Sequence, residues 1–395
     1  MTEGATRLRA LVVAVYIPIV IYAIGEGAVI PFIVLGAQDL GASESVAGMV
    51  VALQGVALLI FAVPSGRIVA RFGGRRAAAI AVAVTVGALL GAALAPSVAV
   101  YGLSIFGIGI GWSIWRLVRF DFLVGAVEAD KRGRALSVMG GSQRIGKFVG
   151  PLIAAGAATA LGLDGAFYLH MVVAVIALAV FVSVPLTDVE RPPAKERRKI
   201  GGLAREHRRS FLTAGVGLII LIIMRAARPV ILPLWAVHIG LGASDVGLIF
   251  GASSAVDAAL FYVAGTVMDR YGRKWSAIPS TVVLALSFLV LPLASSFVSL
   301  LGVGILMGLG NGLGSGYGAT VGSDLAPEDA RAEFLGIWQM VANVGTISGP
   351  VLLGAIVAVA SLGTASLVIG AVGLVGALQI GLFVPETLRS KASGG

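Results

Sequence analysis

The chain contains no cysteine, which excludes disulfide scaffolds and thiolate metal sites. Charge is scarce too. Only 12% of its 395 residues are Asp, Glu, Lys or Arg, against 58% hydrophobic, and the mean hydropathy is +0.99. A water-soluble domain of this size could not hide so much apolar surface, so lipid is the expected solvent for most of it. Alternating segments of about ten residues, as a membrane β-barrel needs, are absent. No nucleotide-binding loop, catalytic triad or metal cluster appears, and the Gly-x-Gly strings lie inside apolar stretches without a strand–turn–helix setting. The chain is therefore not expected to be an enzyme, and no cofactor or metal is implied.

Apolar runs of about 20 residues, the length that crosses a bilayer as helix, repeat from end to end. The expected helices, numbered 1 to 12, cover 10–35, 46–66, 75–95, 98–125, 135–160, 165–187, 211–237, 246–268, 275–293, 297–322, 334–360 and 362–384. The 55 glycines suit close helix–helix approach in lipid. Residues 10–35 are too long for a signal-peptide core and read as the first span. The one long polar stretch, Asp188–Ser210, joins the halves. The domains are then a six-helix bundle over 1–187, a linker over 188–210 and a second six-helix bundle over 211–395.

Net charge is +9, but its placement argues for topology rather than for nucleic acid. Of 29 Lys and Arg residues, 23 fall in the termini, the linker and alternate turns, represented by Arg67, Arg76, Lys131, Arg134 and Lys274. The intervening loops hold none. By the positive-inside rule both termini are cytoplasmic, in a multi-pass protein of the cell (inner) membrane. The run Lys195-Glu196-Arg197-Arg198-Lys199 is expected to lie against anionic headgroups.

Two motifs recur at one separation. Gly66-Arg67-Ile68-Val69-Ala70-Arg71-Phe72-Gly73-Gly74-Arg75 returns as Gly265-Thr266-Val267-Met268-Asp269-Arg270-Tyr271-Gly272-Arg273-Lys274, 199 residues on. Gly146-Lys147-Phe148-Val149-Gly150-Pro151 returns as Gly345-Thr346-Ile347-Ser348-Gly349-Pro350 at the same offset. The halves are copies of one unit, the pattern of a transporter with its site between repeats. These motifs resemble the major facilitator superfamily, over the whole chain. The resemblance implies twelve transmembrane helices in two pseudo-symmetric six-helix bundles that rock about a midplane site, with helices 1, 4, 7 and 10 lining it. Gly66, Arg71, Gly73, Arg75 and Gly265, Asp269, Arg270, Gly272, Arg273 match the family's gating motif. Ala70 stands where the family has aspartate, so Arg71 and Arg75 must find other partners. Gly146, Gly150 and Pro151 resemble the signature of the family's twelve-helix drug/proton antiporters, and Gly349 and Pro350 repeat it in helix 11. Gly25 to Pro31 resembles that branch's helix-1 element. The branch's helix-4 arginine is missing, its expected place being near Leu103.

Six cations remain, in pairs three residues apart within helices: Arg116/Arg119, Arg144/Lys147 and Arg225/Arg228. Such pairs share a face. Glu26, Asp121 and Asp257 are the carboxylates at comparable depth. Each buried charge should meet water or a partner, and by depth Glu26 pairs with Arg225 or Arg228. Glu26 is the first candidate proton carrier, since low dielectric favours its protonated form and a nearby arginine its ionised form. The alternatives are a structural ion pair or direct substrate contact. Asp257 is the second candidate, and Asp121 reads as a helix-end charge. Trp112, Trp115, Arg116 and Arg119 form a stripe suited to an amphipathic ligand with an anionic end, or else an interfacial belt with snorkelling arginines. Arg144, Lys147, Arg225, Arg228, Asn311 and Asn343 complete the substrate candidates. His170 and His238 are lone residues, read as bland.

The expectation is a proton-coupled exporter of amphipathic organic compounds, favouring an anionic or zwitterionic end. It would act as a monomer among membrane lipids, with the proton gradient as energy source and no nucleic-acid partner. The alternatives are an anionic lipid or lysolipid transporter, an organic-anion uptake symporter and a non-transporting membrane sensor.

Overall fold

A computed structural model describes residues 15–127, 132–183 and 200–388. Arg7, Arg9, Lys131, the cations from Arg191 to Lys199, Arg389 and Lys391, which carry part of the orientation, lie outside them. So does most of the linker. Among the described residues every regular element is helical.

The protein is an all-α membrane protein of twelve transmembrane helices in two six-helix bundles. Helix α1 comprises Ile17–Val29 and Phe32–Asp39. Its break falls at Pro31, which has no backbone N–H to continue the ladder. Helix α2 starts as Glu44–Ile60 and, past Phe61, enters the long helix Ala62–Ala93, which Gly73 divides. The part beyond Gly73 is α3. Then come α4 (Val98–Ala126), α5 (Arg132–Leu161) and α6 (Gly165–Ser183). In the second half α7 (Val216–His238) follows a π-helical turn, Phe211–Gly215. It is succeeded by α8 (Ala243–Arg270), α9 (Lys274–Val290) and α10, which is Phe297–Leu313 resumed as Tyr317–Leu325. Helices α11 (Arg331–Val359) and α12 (Leu362–Phe383) close the chain. Among the described residues, ten helices are long and apolar enough to cross a membrane by length and composition alone, with Glu44–Ile60 a shorter apolar helix.

The internal repeat extends to single backbone features. Gly41 and Gly240, 199 residues apart, both have positive φ (83° and 79°), as do Gly73 and Gly272 (78° and 118°). Only glycine adopts this left-handed region cheaply, so it marks where the chain reverses. That placement corrects the expected end of helix 2 at residue 66: the helix runs on through the arginine-rich motif until Gly73 turns it. Arginine is a good helix former, and nothing before Gly73 stops it. Ser97 and Ser296, again 199 apart, each cap a helix by accepting from the backbone N–H three residues on.

Small residues set the tightest packing. A Cβ at Gly150 would strike Ile24 O of α1 and lie 2.6 Å from Ala28 N, and one at Gly146 would lie 2.6 Å from Val20 O. From the other side, a Cβ at Gly27 would be 2.7 Å from Lys147 Cα. Helices α1 and α5 therefore meet backbone to backbone. The copy is faithful, with Gly349 against Ile223 O and Gly345 against Ile219 O of α7.

Two compact units result. One holds Met1–Arg191 with Leu241–Gly251, the other Pro192–Gly240 with Ala252–Gly395. The opening turns of α8 thus cluster with the N-terminal unit, where Gly247 abuts Pro151 and Ala155.

Candidate functional site

Helix α4 turns one face into the N-terminal unit. Trp112, Trp115 and Arg119 are buried on it, Arg119 only 4% exposed. Arg116 is exposed. The expected four-residue stripe is thus a three-residue one, because Arg116 lies at the arc's edge, roughly 40° past Trp112 at 3.6 residues per turn. Arg119 is enclosed by protein rather than reaching out of the helix.

Helices α1 and α6 close around this face. The Tyr22 ring stacks on Trp115 at 4.6 Å and meets the His170 imidazole edge-on at 5.2 Å. Trp112 lies 5.8 Å from the same imidazole. Tyr22 is anchored through its hydroxyl to Thr85 Oγ1 of α3, 2.9 Å away. One turn along α1, Glu26 is 5% exposed and sits 3.5 Å from Lys147 Nζ. Within its own unit Glu26 thus has an ion-pair partner on α5, which depth alone does not suggest. The reason is the glycine packing above, which brings the Lys147 backbone against Gly27. Glu26 also acts electrostatically on Arg119 and His170. The Lys147 side chain stays 43% exposed while that of Glu26 is 6% exposed, so one end of the ion pair is accessible and the other is enclosed.

The polar nitrogens of this cluster, donors apart from one acceptor nitrogen of a neutral imidazole, are unanswered by protein. Arg119 Nε and Nη1, Trp112 Nε1, Trp115 Nε1 and both ring nitrogens of His170 are buried with no hydrogen-bond partner. A buried polar group left unpaired costs about 1–3 kcal/mol, and native interiors leave few. These groups lie along one face of α4 and its neighbours, Trp112 and Trp115 beside Tyr22 and His170 and Arg119 about one turn beyond Trp115. His170 was dismissed as bland on sequence; a lone histidine gives no spacing to read. Tyr22 and Thr85 gave no signal at all.

In the C-terminal unit, Arg225 donates from Nη2 to Asn311 O at 3.1 Å. Gly314 leaves the room, since a Cβ there would be 2.5 Å from that nitrogen. Arg225 is the repeat counterpart of Glu26, 199 residues on, so the two units carry opposite charges at one position. Arg228 is buried. Asp257 of α8 is half-buried beside the backbone of Gly312. Asn343 accepts from Gln339 one turn before it. Arg144 is half-buried and Asp121 exposed.

The gating motifs end in different surroundings. Arg273 Nε donates to Asp324 at 2.9 Å, and its Nη1 reaches Met268 O at 2.6 Å and Asp269 at 3.2 Å. Asp324 is buried while the Asp269 side chain is 79% exposed, so Asp324 is the stronger partner. Glu386 accepts from the backbone N–H of Arg273 (2.8 Å), Lys274 (3.1 Å) and Leu388 (3.2 Å). Partial burial alone would raise its carboxyl, but these donors and the Arg273 charge hold it below the usual carboxylate range. Sequence reasoning missed Asp324 and Glu386, whose partners lie far away along the chain. In the first motif Arg71 stacks over Phe72 at 5.5 Å, and in the second Arg270 over Tyr271 at 5.5 Å. Among the described residues no group of His, Asp or Glu is placed to hold a metal.

The family model of the Major Facilitator Superfamily matches residues 15–228 and again 213–394. The chain belongs to that superfamily of membrane transporters. It is 31% identical over 163 residues to the hexuronate transporter of Bacillus subtilis (strain 168), a match covering 41% of this chain and 38% of that protein's length. It is 29% identical over 360 residues to the MFS-type transporter YddS of the same organism, covering 85% of this chain and 81% of YddS. Among solved structures, a D-xylose–proton symporter superposes with a TM-score of 0.74 at 17% identity, covering 96% of this chain and 98% of that one. A nucleoside transporter does so with a TM-score of 0.76 at 14% identity, covering 94% and 100%. At these identities the superpositions speak for the fold alone.

Proposed function

We propose that the protein is a proton-coupled transporter of small organic anions, with the carboxylate seated on Arg119 and the Trp112 and Trp115 indoles, and the proton on Glu26. The observation that carries this reading is the set of buried N–H donors along one face of α4, the Trp112 and Trp115 indoles and Arg119 Nε and Nη1, that no protein acceptor satisfies. A planar guanidinium presents a fork suited to a carboxylate, and the indoles add flat apolar surface with one donor each. The partial match to a hexuronate transporter, a protein named for a sugar acid, supports an anionic ligand.

The chemistry of the site favours symport. A carboxylate arriving beside buried Glu26 puts two negative charges close together, and one of them is relieved by a proton. Anion and proton then load together, with Lys147 offering the accessible side of the ion pair as the proton's route. Export of drug-like compounds rests on the Gly146–Gly150–Pro151 motif. Its glycines are accounted for by the packing of α5 on α1, which is neutral as to direction, so the uptake alternative is preferred. The cation pattern supports cytoplasmic termini, and the protein is proposed to work as a monomer among the lipids of the cell membrane. The proton gradient supplies energy and no cofactor takes part. Asp257, Arg225, Arg228, Asn311 and Asn343 are proposed as the C-terminal unit's contribution to alternating access.

The test is uptake by proteoliposomes with the exterior made acidic. Labelled glucuronate should accumulate and labelled glucose should not. Accumulation of neither, or of both alike, would overturn the reading.

A further inference from the structure

We infer that the C-terminal unit carries a binding site for the phosphate headgroup of an anionic phospholipid, at its cation-rich end and separate from the α4 cluster. A cavity of about 520 Å³ opens there, within the size range of small-ligand pockets. Its polar wall is Arg209, Ser210, Thr213 and Lys274, and its apolar wall includes Leu325, Leu382 and Phe383. Among the described residues no carboxylate lines it. Glu386, just beyond Pro385, has its oxygens turned to three backbone donors.

The cations are positioned for an external anion. Lys274 Nζ is held by Gly381 O at 2.7 Å, which fixes the ammonium at the end of α12 while leaving it two further donors. Arg209 is exposed and lies one turn before Thr213, whose hydroxyl bonds the Arg209 carbonyl at 2.8 Å. With the Thr213 hydroxyl spent on that carbonyl, two cations and the Ser210 hydroxyl, brought from the segment before α7 and from the start of α9, line the cavity as donors suited to a phosphodiester.

The apolar side identifies a lipid rather than a free ion. Leu382 is 75% and Phe383 63% exposed. Next to the lining residues in sequence, Leu212 (69%) and Trp275 (68%) are also exposed. A tryptophan beside cations at a helix end is the composition of a membrane interface. An acyl chain leaving the headgroup along Leu382 and Phe383 would cover surface that inorganic phosphate leaves bare. Each basic residue near an anionic headgroup contributes on the order of a fivefold gain in binding.

The experiment uses the full chain in detergent, with lipid retention read by native mass spectrometry. Phosphatidylglycerol should be retained at least about tenfold more strongly than phosphatidylcholine. Arg209→Gln should weaken that preference about fivefold, and Arg208→Gln, whose side chain does not line the cavity, should not. Since Arg209 is exposed, its variant should melt at the wild-type temperature without added lipid. Equal loss in both variants would reduce the effect to general surface charge and overturn the site. Displacement of phosphatidylglycerol by millimolar inorganic phosphate would overturn the lipid assignment. So would equal retention of the two lipids.

Discussion

Arg119→Gln is expected to weaken binding of a sugar acid by about ten- to a hundredfold, while the thermal stability of the protein holds or rises. The two halves of that expectation have one cause. Hydrogen bonds to a charged group contribute about 1.5–3 kcal/mol each, and every 1.4 kcal/mol is tenfold in affinity. Losing the guanidinium therefore costs a carboxylate ligand heavily. The folded protein loses little, because Arg119 Nε and Nη1 have no protein acceptor and a buried charge is itself expensive. Arg119→Lys keeps the charge but not the planar fork, and should bind with intermediate affinity. Isothermal titration with glucuronate, paired with a melting curve, checks both halves. A purely structural Arg119 would show the reverse, with a lowered melting temperature and intact binding.

Glu26→Gln is expected to abolish accumulation driven by a pH gradient while exchange of labelled for unlabelled substrate continues. Glutamine retains size and polarity but cannot carry the proton, so coupling is lost and the binding socket is not. The change leaves Lys147 without its partner, and because that side chain is 43% exposed its ammonium can be hydrated instead of stranded. The variant should therefore fold. Gradient-driven uptake at the wild-type rate would remove Glu26 from the coupling mechanism. Loss of exchange together with uptake would make it a binding residue instead.

The architecture was legible because it is written twice. The 199-residue offset of the glycine–arginine motif reappears in the paired left-handed glycines and in the Ser97 and Ser296 caps, so one repeat disclosed two bundles. The aromatic–arginine face of α4 was visible as well, but a stripe read at three-to-four spacing is about 100° wide. Which edge of it is buried depends on the neighbouring helices, and so the exposure of Arg116 beside buried Arg119 could not be read in advance. The Glu26–Lys147 ion pair was not legible for a related reason. Depth along a helix is readable from position, whereas azimuth depends on how closely Gly27 and Gly150 let α1 and α5 approach. Tyr22, Thr85 and His170 are single polar residues in apolar helices and acquire meaning only when three helices bring them together. Asp324 and Glu386 lie outside the spans where charges are conspicuous, and their bonds to the Arg273 segment join residues 51 and 113 positions apart.

One comparison bears most directly on an anion socket in α4: equilibrium binding of glucuronate and of glucose to the purified protein, with no membrane and no gradient. The two ligands share a ring and differ in a single carboxylate, so unsatisfied N–H groups around a guanidinium should separate them by about tenfold or more. Tight binding of the acid with weak or absent binding of the sugar is the predicted result. Equal affinities would contradict it.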